Sequence, residues 1–93
     1  MMRMTIRSEA GRTTISVEGR LAGASVGDLR ATWLQALDLR KPAAIRIDLA
    51  DVTFVDADGV SFLRAVHDQG AELTATDVMS RGILDEIRQG PGP

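Results

Sequence analysis

Three observations predict an α/β domain built on a mixed sheet of about four strands, with helices mainly on one face. Apolar and polar residues alternate in four short runs, while apolar residues recur at helical spacing in three other segments. The order is β-β-α-β-α-β-α, and each strand-helix-strand unit implies parallel neighbours joined by a right-handed crossover. Strands buried on both faces read as continuous apolar runs. These alternate instead, so one face of the sheet is expected to be polar and partly wet.

Met4 and Ile6 alternate with Thr5 and Arg7. After the turn-like "EAGR", Ile15 and Val17 alternate with Thr14, Ser16 and Glu18, which predicts a β-hairpin. Gly19 and Gly23 punctuate its exit. Ser25, with Asp28 three residues on, resembles a capping box. Val26, Leu29, Trp33, Ala36 and Leu37 then predict an amphipathic helix over residues 25–39, with Trp33 read as core. Pro42 closes that segment. Ile45, Ile47 and Leu49 alternate with Arg46 and Asp48 in a third strand. Phe62, Leu63 and Val66 mark a second helix, from near Asp58 to Gly70. Leu73 and Ala75 alternate with Glu72, Thr74 and Thr76 in a fourth strand. Asp77 caps a last helix that carries Met79, Ile83, Leu84 and Ile87.

Length and composition bound the function. Ninety-three residues, 44% apolar, make one domain over residues 1–89, with "GPGP" at 90–93 read as a disordered tail. The absence of cysteine excludes disulfides and thiolate metal sites, and suits a reducing compartment. No stretch has the length of a signal peptide or a membrane span, so a cytoplasmic location is expected. The net charge is −2 with both signs scattered, which gives nucleic acid no clustered basic face. Trp33, Phe54 and Phe62 are the only aromatics, too few for a base-stacking surface.

The most particular stretch is "FVDADGVSFL", residues 54–63, where a strand pattern ends in two aspartates, a glycine and a helix. Asp56 and Asp58, with Asp48 and Asp51 nearby, raise a carboxylate-based Mg²⁺ or nucleotide site, which takes about six oxygens. A receiver-type acidic cluster also needs a lysine opposite, and the only lysine, Lys41, lies in a loop. The simpler reading is that Asp56 or Asp58 caps the second helix. His67 is the only histidine, so no His-dependent triad or multi-histidine metal site can be built. Its expected place is the surface near the helix end, where a positive ring suits the dipole. No serine lies in a G-x-S-x-G elbow, and no G-x-G-x-x-G or Walker sequence occurs. Neither an enzyme nor a cofactor is expected.

The run "AAIRIDLADVTFVDADGVSFLRAVHDQGAELTATDV" and the order β-β-α-β-α-β-α resemble the STAS domain of bacterial anti-sigma-factor antagonists. The pattern "L-x-x-V-x-F-x-D" followed by Ser or Thr, a small or polar residue, Gly and an apolar helix matches at Leu49, Val52, Phe54, Asp56, Gly59 and Leu63. The resemblance runs from about Met4 to Ile87. It implies a non-catalytic interaction module that works in bacterial regulation by partner switching. It implies as partner a GHKL-type anti-sigma kinase, which binds the corner and adjacent helix and phosphorylates the Ser or Thr after the aspartate. A phosphate's charge of about −1.5 to −2 then breaks the complex. The implied contact residues are Asp56, Ala57, Asp58, Gly59, Val60, Arg64 and His67, the last three on the helix's outward face.

At the phosphoacceptor position stands Ala57, which has no hydroxyl. Either the corner is a permanently unphosphorylated binder, or Asp58 partly mimics the phosphorylated state. The first is favoured, because a monoanionic carboxylate copies a phosphate poorly. Ser61 is the candidate displaced phosphosite, although within a helix it equally suits a bond to backbone. A rival reading within the fold is a STAS subunit that regulates the ATPase of an ABC transporter. Family members usually continue with another strand and helix, whereas this sequence stops at "DEIRQGPGP". An open apolar surface or sheet edge, and with it a homodimer or the capture of a partner, is therefore a further expectation.

Overall fold

The structure is a computed structural model and describes residues 2–75; the predicted last helix and tail lie outside the described residues. β1 (Met2–Glu9) and β2 (Arg12–Leu21) form the expected hairpin. Ala10 and Gly11 between them have φ of 50° and 80°, the left-handed pair that a two-residue type I′ turn requires. α1 (Ala24–Leu37) follows, then a 3₁₀ turn at Pro42–Ala44. β3 (Ile45–Val55), α2 (Ala57–Asp68) and β4 (Glu72–Thr74) complete the described chain. The sheet order is β1-β2-β3-β4, with β2 antiparallel to β1 and β3 parallel to both β2 and β4. It is the mixed four-stranded sheet that the sequence predicts.

Alternation does what the pattern implied. Ile15, Val17, Ile45, Ile47, Leu49 and Leu73 are buried under the helices, while Thr14, Ser16, Arg46 and Asp48 are half-exposed on the opposite face. The helices contribute Val26, Leu29, Trp33 and Ala36 from α1, and Phe62, Leu63 and Val66 from α2. Trp33 is core, as read, at 2% exposure. On the polar face Arg46 donates to Glu72 on the neighbouring strand at 2.9 Å.

Several boundaries differ from the sequence reading. β3 runs to Val55, well past Leu49, because two irregularities keep it paired: Ser16 to Arg20 on β2 oppose Asp48 to Phe54 on β3. At the first of these, the Asp48 carboxylate accepts the Ala50 N–H at 2.9 Å and satisfies backbone that the ladder leaves free. The shift moves the core-facing set from Leu49 to Val52 and aims the end of β3 at the start of α2. α1 ends at Leu37, before the predicted residue 39, and Pro42 opens the 3₁₀ turn rather than ending the helix. β4 stops at Thr74, one residue short of Ala75. Thr76 lies outside the described residues.

Candidate functional site

Leu21 and Val55 end the two parallel central strands side by side, and a helix starts just beyond each. Asp56 sits between them. Its extended backbone (φ −82°, ψ 179°) makes it the N-cap of α2, and its Oδ1 accepts the Gly59 N–H at 2.8 Å. The other oxygen, Oδ2, accepts the Gly23 N–H at the start of α1, at 2.9 Å. Asp56 also donates its own N–H to the Leu21 carbonyl at 3.2 Å. One side chain thus ties two helix N-termini to two strand ends. The amide of Gly23 first, and that of Gly59 next, hold its carboxyl below the ordinary aspartate value of 3.8, against a smaller opposing effect of desolvation. Of the two aspartates offered as caps, Asp56 is the cap and Asp58 is an exposed acidic residue in the first turn.

α1 is capped differently from the prediction. Its N-cap is Gly23 (φ 57°), not Ser25, and no side chain from its own segment caps it. The box failed because Ser25 lies inside the first turn, and the orphan amide is served by Asp56, 33 residues away in sequence. Gly59 has a steric reason to be glycine. A Cβ there would lie 2.6 Å from Val55 Cγ1 and 2.9 Å from the Leu21 carbonyl oxygen. Only a bare backbone lets the first turn of α2 sit this close to both strands.

The expected contact residues divide by exposure. Ala57 and Asp58 stand exposed at the first two positions of α2, while Gly59 is buried and serves packing. Val60, Arg64 and His67 form a half-buried stripe rather than the outward face assigned to them. The outermost residues of α2 are instead Ala57, Asp58, Ser61, Ala65 and Asp68. The misplacement is geometric: at about 3.6 residues per turn, 60, 64 and 67 fall on a flank of the helix, about 100° around its axis from the residues that face straight out. His67 lies in the last turn, with Nδ1 3.9 Å from Asp68 Oδ1. Ser61 is exposed and borders a hollow of about 310 Å³ between α1 and α2, lined also by Arg30, Leu34 and Phe62.

Sequence reading missed two exposed apolar side chains. Phe54 is 41% exposed, and the Arg20 guanidinium lies 4.4 Å from its ring centroid, a cation–π contact across paired strands. Leu34 is 55% exposed beside α2, and its apolar character off the helix's buried stripe was the available signal. Asp48 and Asp51 do not join the corner, since Asp48 is engaged with the Ala50 amide and Asp51 lies exposed beside the bulge. Among the described residues no three His, Cys, Asp or Glu side chains come together as a metal site. No described helix is long and apolar enough to cross a membrane.

Residues 4–84 match the family described as "Mlab, STAS domain". The chain belongs to that STAS family. Solved structures agree on the fold. An anti-sigma factor antagonist from Mycobacterium paratuberculosis superposes with a TM-score of 0.76 at 20% identity, covering 96% of this chain and 80% of that one. The anti-sigma factor antagonist SpoIIAA in its unphosphorylated form gives 0.61 at 14% identity, covering 92% and 98%. A protein from Shewanella loihica with a SpoIIAA-like fold gives 0.60 at 10% identity, covering 95% and 78%. No curated protein matches in sequence.

Proposed function

We propose that this domain is a non-catalytic docking module whose contact surface is the Asp56–Gly59 corner with the adjoining flank of α2, Val60, Arg64 and His67. The observation that carries this reading is the division of labour at the corner. Asp56 and Gly59 are consumed by structure, and Ala57 and Asp58 are thereby held exposed on a fixed helix start. A preorganised surface of this kind loses little entropy on binding. The anti-sigma factor antagonists that share the fold support a protein as the ligand, and in bacterial partner switching that protein is a GHKL-type anti-sigma kinase. With Ala57 at the acceptor position, the domain stays in the binding form whatever the kinase does.

A second reading keeps the corner and changes the partner to the ATPase of an ABC transporter. Ala57 favours it, because a contact that is never switched requires no hydroxyl there.

The test is affinity capture from native lysate with the wild-type chain, Ala57→Ser, Ala57→Glu and Asp58→Ser. Capture of a kinase that phosphorylates Ala57→Ser, and loss of capture by Ala57→Glu, is the expected result for partner switching. An ABC ATPase captured by wild type and lost with Ala57→Glu selects the second reading. Capture unaffected by Ala57→Glu removes the corner from both.

A further inference from the structure

We propose that the domain pairs with a second copy of itself through the free edge of β1, in one antiparallel register centred on Ile6. This surface is distinct from the corner and does not rest on the function proposed for it. β1 is the end strand of the described sheet, eight residues long, without proline or bulge. Such an edge carries an unpaired row of backbone donors and acceptors. The two-residue turn makes Glu9 and Arg12 the closing hydrogen-bonded pair, so the odd residues of β1 bond to β2. Met2, Met4, Ile6 and Ser8 therefore turn their N–H and C=O groups to the open edge.

Charge selects among the registers open to two such edges. Bonding requires that even residues oppose even residues. Centring the pair on Thr5 sets Arg3 against Arg7 of the second copy, and centring it on Arg7 sets Arg7 against itself. Like charges directly opposite are unfavourable. Centring it on Ile6 sets Arg3 against Glu9 and Thr5 against Arg7, twice over, on the polar face of the sheet. On the helix face it brings the two Ile6 side chains together and sets Met4 against Ser8. Registers displaced further pair fewer residues.

Burial points the same way. Ile6 is 56% exposed and Leu39 is 78% exposed, two of the four large apolar side chains left open among the described residues. Both line one hollow of about 150 Å³ at this edge, floored by Ile15 and Ala36. A second copy across the twofold axis covers the hollow from both sides, with Ile6 at its centre.

The sequence contains no cysteine, so a single introduced thiol can crosslink only between copies. Opposed residues of a hydrogen-bonded pair lie about 5.5 Å apart at Cα, within disulfide reach. Met4 lies about 13 Å along the strand from its own copy in this register. On mild oxidation of the full chain, Ile6→Cys is expected to form a covalent dimer and Met4→Cys to remain monomeric. By sedimentation from micromolar to millimolar protein, wild type should dimerise and Ile6→Lys should weaken it at least about tenfold. Arg3→Glu should weaken it too, and Arg3→Glu combined with Glu9→Arg should restore it. A monomer at every concentration overturns the proposal, as do equal crosslinking of the two cysteine variants, a dimer indifferent to Ile6→Lys, or a charge swap without rescue.

Discussion

The two helices begin side by side at the ends of neighbouring strands, yet their first turns are held in opposite ways. α2 brings its own cap, Asp56, one residue before its first helical position. α1 starts at Gly23, has no side-chain cap of its own, and borrows the second oxygen of the same carboxylate. Each first turn also contains or adjoins a glycine, and these differ as sharply. Gly59 is wedged against Val55 and Leu21, whereas a Cβ on Gly27 would meet nothing within 4 Å. The difference shows that α2 is the fixed element of the corner and that α1 is fastened to it. A surface built on α2 is therefore positioned by packing, not by loop conformation.

The largest effect is expected at Gly59. Alanine in a helix gains up to about 1 kcal/mol over glycine in propensity. Overpacking against a backbone carbonyl and a buried valine costs about 1–3 kcal/mol and wins, because the Leu21 oxygen is part of the sheet and cannot swing away. Gly59→Ala should lose up to about 2 kcal/mol net in urea unfolding. An unchanged midpoint would mean that the corner is loose and that the contrast with Gly27 has no energetic content.

Asp56 tests the shared cap. Asparagine keeps an oxygen for the Gly59 amide but turns an NH₂ toward the Gly23 amide, so Asp56→Asn should loosen α1 selectively. Amide exchange should quicken in the first turn of α1 more than in that of α2. The carboxyl's folded value is lowered, so its stabilisation is complete above the ordinary value of 3.8 and is lost as pH falls from there through the lowered value. Wild type should therefore lose stability over that acid range, while Asp56→Asn, already weaker at neutral pH, should lose less. Parallel acid profiles for the two proteins would show that this carboxylate is not the linked group.

Gly27 is the counterpart. It is exposed and helical, with open space where a methyl would go, so Gly27→Ala should raise stability by up to about 1 kcal/mol. Destabilisation at Gly27 would show that α1 is also in tight contact at its start and would erase the distinction between the helices.

Periodicity carried most of the fold, and locality explains where it stopped. The hairpin turn, the one-faced sheet and the buried stripes of both helices follow from spacings of two and of three to four residues, which depend on near neighbours alone. The length of β3 did not, because its bulges break the alternation and depend on pairing with β2 and on the bond between Asp48 and Ala50. At the corner, Asp56 was legible as a cap because its partner is three residues away. Its second bond, to Gly23, joins segments 33 residues apart, and nothing in either segment announces it. The outward face of α2 was misassigned for a related reason, since which flank of a helix is covered depends on its neighbours as well as on its own stripe.

The smallest effect should fall at Ser25, where the sequence placed the cap of α1. A serine that truly caps a helix loses about 1 kcal/mol when changed to alanine. Here Ser25 is inside the first turn, its N–H bonds to the Ala22 carbonyl at 3.1 Å, and its hydroxyl makes no capping bond. Ser25→Ala should therefore stay within about 0.5 kcal/mol of wild type, the range of an uninvolved position. In the Asp56→Asn background it should stay as small, because the two residues do not share a donor. A loss near 1 kcal/mol in either background would mean that α1 holds its own start. Asp56 would then be the cap of one helix, and the two helix starts would be independent.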